Sequence, residues 1–248
     1  MKIFGSKPVI TLLLMVIMVS ISHMIYAKGK KVLIFCKTTG FHHSSIKEGV
    51  VAIQLLGKEN KFEVDSTTNA EKFTEANLKQ YRAIIFLNTT GDVLNNEQQN
   101  AFEKYIRSGG GFVGVHAATD CEYDWPWYGN LVGAYFSNHP SPQEAVLNVT
   151  DRKHISTKHL PEKYKRRDEW YNFKWVAKGL NILISIDETS YDVGKGKMGA
   201  DHPMAWYHEY DGGRAFYTEL GHTEESYTEP LFLQHLLGGI KYALGQNK

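Results

Sequence analysis

Strand-length runs of apolar residues that alternate with helical patterns constrain the fold of this chain most strongly. Residues 31–36 (KVLIFC), 83–87 (AIIFL) and 112–115 (FVGV) are apolar almost throughout. Such runs are typical of strands that are buried on both faces of a parallel sheet. Because the segments between them carry apolar residues at helical spacing, the sequence predicts an α/β fold with helices on both faces of the sheet.

The helical segments carry their own start and stop signals. Ser44 or Ser45 is the predicted cap of the first helix, Thr74 caps the second, and the glycines that begin at Gly109 end the third. Loops that follow parallel strands meet at one edge of the sheet, where ligands bind in folds of this kind. The helices are predicted over residues 44–60, 74–80, 95–107 and 229–244.

The second half of the chain changes pattern. Residues 211–214 (DGGR) predict a hairpin turn, which would join two antiparallel strands. We therefore predict one domain, residues 31–245, that is a three-layer sandwich with a mainly parallel sheet and added antiparallel strands. Further strands are predicted over residues 62–66, 144–149, 182–186, 204–209 and 215–220.

The first 27 residues are predicted to be a secretory signal peptide. Lys2 and Lys7 precede an apolar stretch over 9–19, and Ala27 ends a sequence that signal peptidase could cleave. The alternative is an uncleaved membrane anchor, which the polar residues near the far end of the segment make weaker. The expected product is periplasmic or secreted, with no stable membrane insertion after cleavage.

The charge balance excludes some functions. With 28 basic and 27 acidic residues the chain has no strong field that would gather a polyanion, so a nucleic-acid partner is not expected. The function must then depend on a local site. Eleven histidines and 12% aromatic residues point to a pocket for proton transfer, a metal ion or a sugar.

Three histidine-containing segments follow predicted strands. His42 and His43 lie between the first strand and a helix N-terminus, where an oxygen-rich ligand is favoured. His116 is at the apex of a turn after the fourth strand, in the place of the nucleophile of hydrolase-like α/β folds. His222 follows the last strand, and Glu224 two positions later is a candidate carboxylate to orient it.

Aromatic residues cluster in the loops and in the second half of the chain. Trp125 and Trp127 lie in a loop with Pro and Gly, where a stacked sugar ring is one interpretation and core packing is the other. Glu169 precedes a second aromatic group that begins at Trp170, and its carboxylate could bind sugar hydroxyls. Trp206 belongs to a third group.

Five motifs together carry a resemblance to a known family. In order and spacing they resemble the ThuA-like proteins of trehalose utilisation, from about residue 31 to residue 244. The resemblance implies the flavodoxin-like fold of the class I glutamine amidotransferase-like superfamily. The motifs are residues 41–44 (FHHS), 109–120 (GGGFVGVHAATD), 168–171 (DEWY), 202–206 (HPMAW) and 213–222 (GRAFYTELGH).

The family comparison sharpens the functional hypothesis. True amidotransferases carry Cys at the elbow, where this chain has His116, so the resemblance implies that glutaminase activity is absent. It implies instead a role in disaccharide or 3-keto-sugar catabolism, without defining the reaction. One hypothesis is an enzyme, a sugar or keto-sugar isomerase, lyase or hydrolase. The alternative is a non-catalytic carbohydrate-binding protein or a partner module of a sugar-degrading system.

The site residues follow from these segments. A histidine base beside a keto sugar would suffice for isomerisation or elimination. The same imidazoles could bind Zn²⁺ or a similar divalent ion, or could be hydrogen-bonded without metal. The predicted catalytic residues are His116, His222 and Glu224; the predicted metal ligands are His42, His116 and His222; the predicted substrate-binding residues are His42, His43, Asp120, Trp125, Trp127, Glu169, Trp170 and Trp206.

Overall fold

A nine-stranded mixed sheet organises the molecule. The computed structural model describes residues 30–246, so the predicted signal peptide lies outside the described residues. The sheet has the strand order β2-β1-β3-β4-β11-β10-β9-β6-β7, and a separate ribbon pairs β5 with β8. The strands are β1 Lys31–Phe35, β2 Glu63–Thr67, β3 Ala83–Leu87, β4 Gly111–Val115, β5 Ala134–Asn138, β6 Gln143–Val149, β7 Lys163–Asp168, β8 Asn172–Val176, β9 Asn181–Asp187, β10 Pro203–Tyr210 and β11 Gly213–Thr218.

Helices cover both faces of the parallel half, which comprises β2, β1, β3, β4 and β11. Successive residues of β4 face opposite ways: a Cβ at Gly111 would meet Ala243, whereas the ring of Phe112 packs on Phe102. The remaining strands β10, β9, β6 and β7 are antiparallel, so the predicted fold class is confirmed. The helices are α1 Ile46–Asn60, α2 Glu75–Leu78, α3 Asn96–Arg107, α4 Pro126–Val132 and α5 Pro230–Ala243.

Most local signals act as predicted. Thr74 caps α2 by accepting a hydrogen bond from the backbone of Asn77, and Asp211 and Gly212 form the hairpin turn with positive φ at both positions. The predicted serine cap of α1 is wrong. Ser45 precedes that helix, but its hydroxyl accepts a hydrogen bond from the Asn88 amide, so it ties two loops together instead.

Four elements were not predicted: β5, α4, β7 and β8. Strand β7 (KYKRRD) carries charged residues on both faces, and a charged strand gives no apolar alternation to detect. Its inward-facing Arg166 and Asp168 are buried as an ion pair, Nη2 to Oδ2, at 2.9 Å. The ribbon strands are short, and their pairing joins segments more than 30 residues apart.

Close packing of α5 depends on two glycines, of which Gly239 faces the sheet and Gly238 faces the segment between β6 and β7. A Cβ at Gly239 would lie 2.2 Å from the ring of Phe216, and one at Gly238 would lie 2.3 Å from the Cα of Ser156. The helix therefore approaches the sheet more closely than any side chain there would allow. Among residues 30–246, no helix has the length and apolar character needed to cross a bilayer.

Candidate functional site

Three histidines and one glutamate meet at the carboxyl edge of the parallel strands. His43 follows β1, His116 follows β4 and His222 follows β11, while Glu169 lies between β7 and β8. One ligand atom from each of the four lies within 4.8 Å of the others. Crossovers in a parallel sheet leave the loops after its strands at one edge, which is why residues so far apart in sequence converge.

His116 is at a strained elbow between β4 and a short 3₁₀ turn. Its φ is +47°, a left-handed conformation that is uncommon for residues other than glycine. Nδ1 of the ring donates to the backbone carbonyl of Glu219 at 2.7 Å, and since a carbonyl only accepts, this contact fixes the tautomer. Nε2 of His116 is therefore the nitrogen that faces the cluster.

His222 completes the centre of the cluster. Its Nδ1 lies 3.2 Å from Nε2 of His116 and 3.2 Å from a carboxylate oxygen of Glu169. The same oxygen of Glu169 lies 3.4 Å from Nε2 of His116. Two imidazole nitrogens and a carboxylate thus surround one small volume, in which a proton or a cation would be stabilised.

Asp168 supports the backbone at two cluster residues, Glu169 and His222. One carboxylate oxygen accepts from the backbone N–H groups of Glu169 and His222, each at 3.1 Å, and the other accepts from Gly221 at 3.0 Å. Nη2 of Arg166 also donates to the carboxylate at 2.9 Å. A single buried side chain therefore fixes the backbone of two cluster residues that are distant in sequence.

His43 forms the remaining side of the cluster. Its side chain is 3% exposed, and its ring centroid lies 5.0 Å from that of His116 and 5.2 Å from that of His222. Nδ1 is buried and has no hydrogen-bond partner among the described residues. Burial, together with the neighbouring histidines, lowers the pKa of His43 to about 2, so the ring is neutral and can donate an electron pair.

The electrostatics of the cluster favour a positive charge on His116. Burial alone would keep His116 neutral, but the carboxylates of Glu169 and Glu219 outweigh it and raise its pKa to about 10. Burial opposes ionisation of Glu169, yet hydrogen bonds from His116 and His222 lower its pKa below the usual range. Burial raises the pKa of Glu219 to about 8, against the effect of His116.

A cavity of about 270 Å³ opens onto this cluster. Asp120, a predicted substrate-binding residue, lines the cavity and accepts a hydrogen bond from the Tyr123 hydroxyl at 2.6 Å. The Nδ1 atom of His139 lies 3.0 Å from the outer oxygen of Glu169. The lining residues are Phe41, His43, Asp120, Phe136, His139, Glu169, Tyr171 and His222.

Two residues that were predicted as catalytic or metal-binding lie outside the cluster. His42 is exposed and its Nδ1 pairs with the hydroxyl of Thr38, so the neighbouring His43 takes the place that was predicted for it among the metal ligands. Glu224 is also exposed, and the carboxylate beside His222 is that of Glu169. In the first case a shift of one residue along a loop reverses the direction of the side chain, whereas in the second the carboxylate comes from a different segment of the chain.

The predicted tryptophans have structural partners away from the cavity. Trp125 and Trp127 stack on each other, and their ring N–H groups donate to Glu103 and Asp211. These partners lie near the end of α3 and on the β10–β11 hairpin, so the loop packs against the opposite end of the sheet. Trp170 and Trp206 are fully buried, and their indoles donate to backbone carbonyls.

Sequence reasoning missed several residues of the site. His139, Phe136 and Tyr171 line the cavity because the unpredicted β5–β8 ribbon carries them there. Glu219 was overlooked although it stands just after β11, where the spacing to His222 could have pointed to it. A search for carboxylates at strand ends would have found Glu219, but not the residues of the ribbon.

The fold and this site define a class of protein: a flavodoxin-like α/β domain whose elbow carries histidine and faces a histidine- and glutamate-lined pocket. The family model ThuA, described as trehalose utilisation, matches residues 31–243, and the chain belongs to this family. No curated protein matches the sequence.

Solved structures agree with this assignment. A ThuA-like protein from Bacteroides uniformis is 26% identical, with a TM-score of 0.76 over 91% of this chain and 96% of that chain. One from Parabacteroides merdae is 22% identical, with a TM-score of 0.73 over 89% and 92%. A β-galactosidase from Bacillus circulans sp. alkalophilus shares the fold, at 12% identity and a TM-score of 0.58, over 88% of this chain and 31% of that chain.

Proposed function

We propose that this protein acts on a disaccharide or 3-keto sugar in the cavity beside His116, and that it does so with a divalent cation such as Zn²⁺. The observation that carries the proposal is the convergence of four ligand groups, those of His43, His116, Glu169 and His222, within 4.8 Å of one another. Three of the four residues, all but His116, also line the cavity. The family description, trehalose utilisation, supports a carbohydrate as the substrate.

The nitrogen and oxygen donors of the cluster fit a cation of intermediate hardness, such as Zn²⁺. Imidazole nitrogen and carboxylate oxygen are common ligands of Zn²⁺, and a site open to a cavity leaves room for a substrate oxygen. The ring of His43 has an unused buried nitrogen, and His116 is oriented by its bond to the Glu219 carbonyl, as metal-binding histidines usually are. These features favour a cation over a hydrogen-bonded cluster without metal.

The chemistry expected of the site is proton transfer beside a carbonyl. Bound at the cluster, the cation would polarise a sugar carbonyl or orient a hydroxyl. The carboxylate of Asp120 and the imidazole of His139 also line the cavity, and they are placed to take a proton from a carbon next to that carbonyl. Isomerisation and elimination both begin with such a step.

Two other functions receive less support. Glutamine hydrolysis through a thioester needs a thiol at the elbow, and this chain carries His116 there, while Cys121 is buried. A purely binding role rested on sugar stacking at Trp125 and Trp127, and both rings pack against protein elsewhere. We further propose that residues 1–27 direct the protein to the periplasm or the exterior, as the predicted signal peptide suggests.

The test compares two glutamates. The purified protein would be loaded with Zn²⁺, its metal content measured by elemental analysis, and its action on 3-keto disaccharides followed by mass spectrometry and NMR. We expect stoichiometric zinc and conversion of the sugar, both lost in Glu169→Gln and both kept in Glu224→Gln. A protein that binds no divalent metal and converts no keto sugar would contradict the proposal.

A further inference from the structure

Phe41 displays an aromatic ring at the mouth of the cavity. Its side chain is 65% exposed, the largest exposure among the large apolar side chains that are exposed in the described residues. The ring lies 4.9 Å from that of His43 and nearly perpendicular to it. The side chain of Phe41 therefore extends from the buried cluster to the solvent. Burial of this ring would be favourable, and no neighbouring segment provides it.

The backbone under this ring is held in place. The Thr90 hydroxyl donates to the carbonyl of Phe41 at 2.8 Å, and the backbone N–H of Thr39 donates to the carbonyl of Thr90 at 2.8 Å. Thr38 and Thr90 also form an isolated parallel bridge. The ring therefore projects from an ordered loop. Less conformational entropy is lost when a ligand binds to such a loop than when it binds to a mobile one.

The volume of the cavity limits what it can enclose. At about 270 Å³ it is smaller than the range of roughly 300–1,000 Å³ typical of pockets for drug-sized ligands. It suits a single sugar ring. The second ring of a disaccharide would project past the mouth, where Phe41 stands.

We propose that Phe41 forms a second subsite, which stacks on the sugar ring next to the one held in the cavity and so makes disaccharides the preferred class of ligand. This inference rests on the proposed function of the cavity. An aromatic ring suits this purpose because it offers a rigid apolar face to the C–H surface of a pyranose. The other exposed large apolar side chains, Val51, Leu55 and Trp175, do not line the cavity.

The experiment measures binding of glucose and of trehalose to the zinc-loaded protein by calorimetry. We expect trehalose to bind more tightly than glucose, and Phe41→Ala to weaken trehalose binding about tenfold while it changes glucose binding less than about twofold. Trp175→Ala is the matched control, an exposed aromatic residue away from the cavity, and should change neither. Because Phe41 is exposed, its replacement should leave the thermal unfolding midpoint unchanged.

The outcomes separate this inference from the proposed function. Equal binding of the two sugars, unchanged in Phe41→Ala, would overturn the second subsite and leave a sugar-binding cavity. An equal loss for both sugars would place Phe41 in the first subsite and also overturn the inference. If neither sugar binds, this inference fails, whereas the proposed function is decided by the zinc content and by the conversion of 3-keto disaccharides.

Discussion

Nε2 of His116 and Nδ1 of His222 lie 3.2 Å apart, although 106 residues separate them in the sequence. His116 donates from its Nδ1 to a carbonyl, so Nε2 is the nitrogen that faces His222. Against the effect of burial, the carboxylates of Glu169 and Glu219 raise the pKa of His116 to about 10, so without a metal Nε2 carries a proton that it can share with His222 and Glu169. The cation of the proposed function would take the place of this proton.

Adjacent histidines give a direct test of the cation site. Zinc at about a hundred times its Kd should stabilise the wild-type protein by about 2.7 kcal/mol, and His42→Ala should retain that gain. His43→Ala should lose it, because only His43 lies in the cluster. Thermal unfolding with zinc and with a chelator measures both. An equal response from the two variants would count against the assignment of His43.

Asp168 is expected to act as a positioning residue. Asp168→Asn replaces one acceptor oxygen by an NH₂ group, so the side chain loses either the bond from Gly221 on one oxygen or the bonds from Glu169 and His222 on the other. We expect zinc affinity to fall about 10- to 100-fold, as for other supporting residues of metal sites. Titration with a zinc indicator gives the affinity, and unfolding of the metal-free variant gives its stability separately. Unchanged affinity would contradict the role.

His235 should make stability depend on pH. Its ring is fully buried, donates from Nδ1 to the Ser156 carbonyl and pairs through Nε2 with the Thr218 hydroxyl. Burial lowers its pKa to about 3, whereas the unfolded chain takes up the proton near pH 6.5. The stabilising effect is therefore complete above pH 6.5 and decreases as the pH falls towards 3, with a loss of about 2 kcal/mol at pH 5.

A conservative variant isolates this effect. His235→Gln keeps a donor and an acceptor but does not titrate, so its free energy of unfolding should drop about 2 kcal/mol less between pH 7 and pH 5 than that of the wild type. Urea unfolding at the two pH values measures the difference. Parallel decreases in both proteins would show that His235 is not the responsible group.

The close approach of α5 to the sheet predicts a sensitive glycine. Gly239→Ala would place a methyl group 2.2 Å from the Phe216 ring, and we expect a loss of about 1–3 kcal/mol in the free energy of unfolding. Gln234→Ala, at an exposed position of the same helix, should change stability by less than about 0.5 kcal/mol. Denaturant unfolding compares the two; similar values would contradict the packing argument.

The sequence predicts best those elements whose signal lies within a short stretch of residues, such as an apolar run. The parallel strands β1, β3 and β4 follow from apolar runs, and the elbow at His116 follows from small residues around a polar apex. Glu169 was recognised as a candidate, but its position depends on β7, whose charged sequence gives no strand signal. Trp125 illustrates the opposite error, because the hydrogen bond to Glu103 that explains it is a tertiary contact.

The difference between His42 and His43 shows where such prediction ends. Both follow β1, and composition and spacing treat them alike. Only the direction of the backbone decides which ring turns inward. That direction depends on hydrogen bonds with Thr90, a residue of another loop that donates to Phe41 and accepts from Thr39. Choices of this kind depend on contacts between distant segments, which a periodic pattern does not contain.

The ribbon of β5 and β8 forms one wall of the pocket and is separate from the main sheet. Phe136 and His139 belong to or follow β5, Tyr171 precedes β8, and all three lie at the same end of the ribbon, whose pairing is irregular at Phe136. The opposite wall is anchored in the nine-stranded sheet. The ribbon can therefore fray and widen the pocket while every strand of the main sheet stays paired, and we expect amide protons of β5 and β8 to exchange with solvent before those of β4.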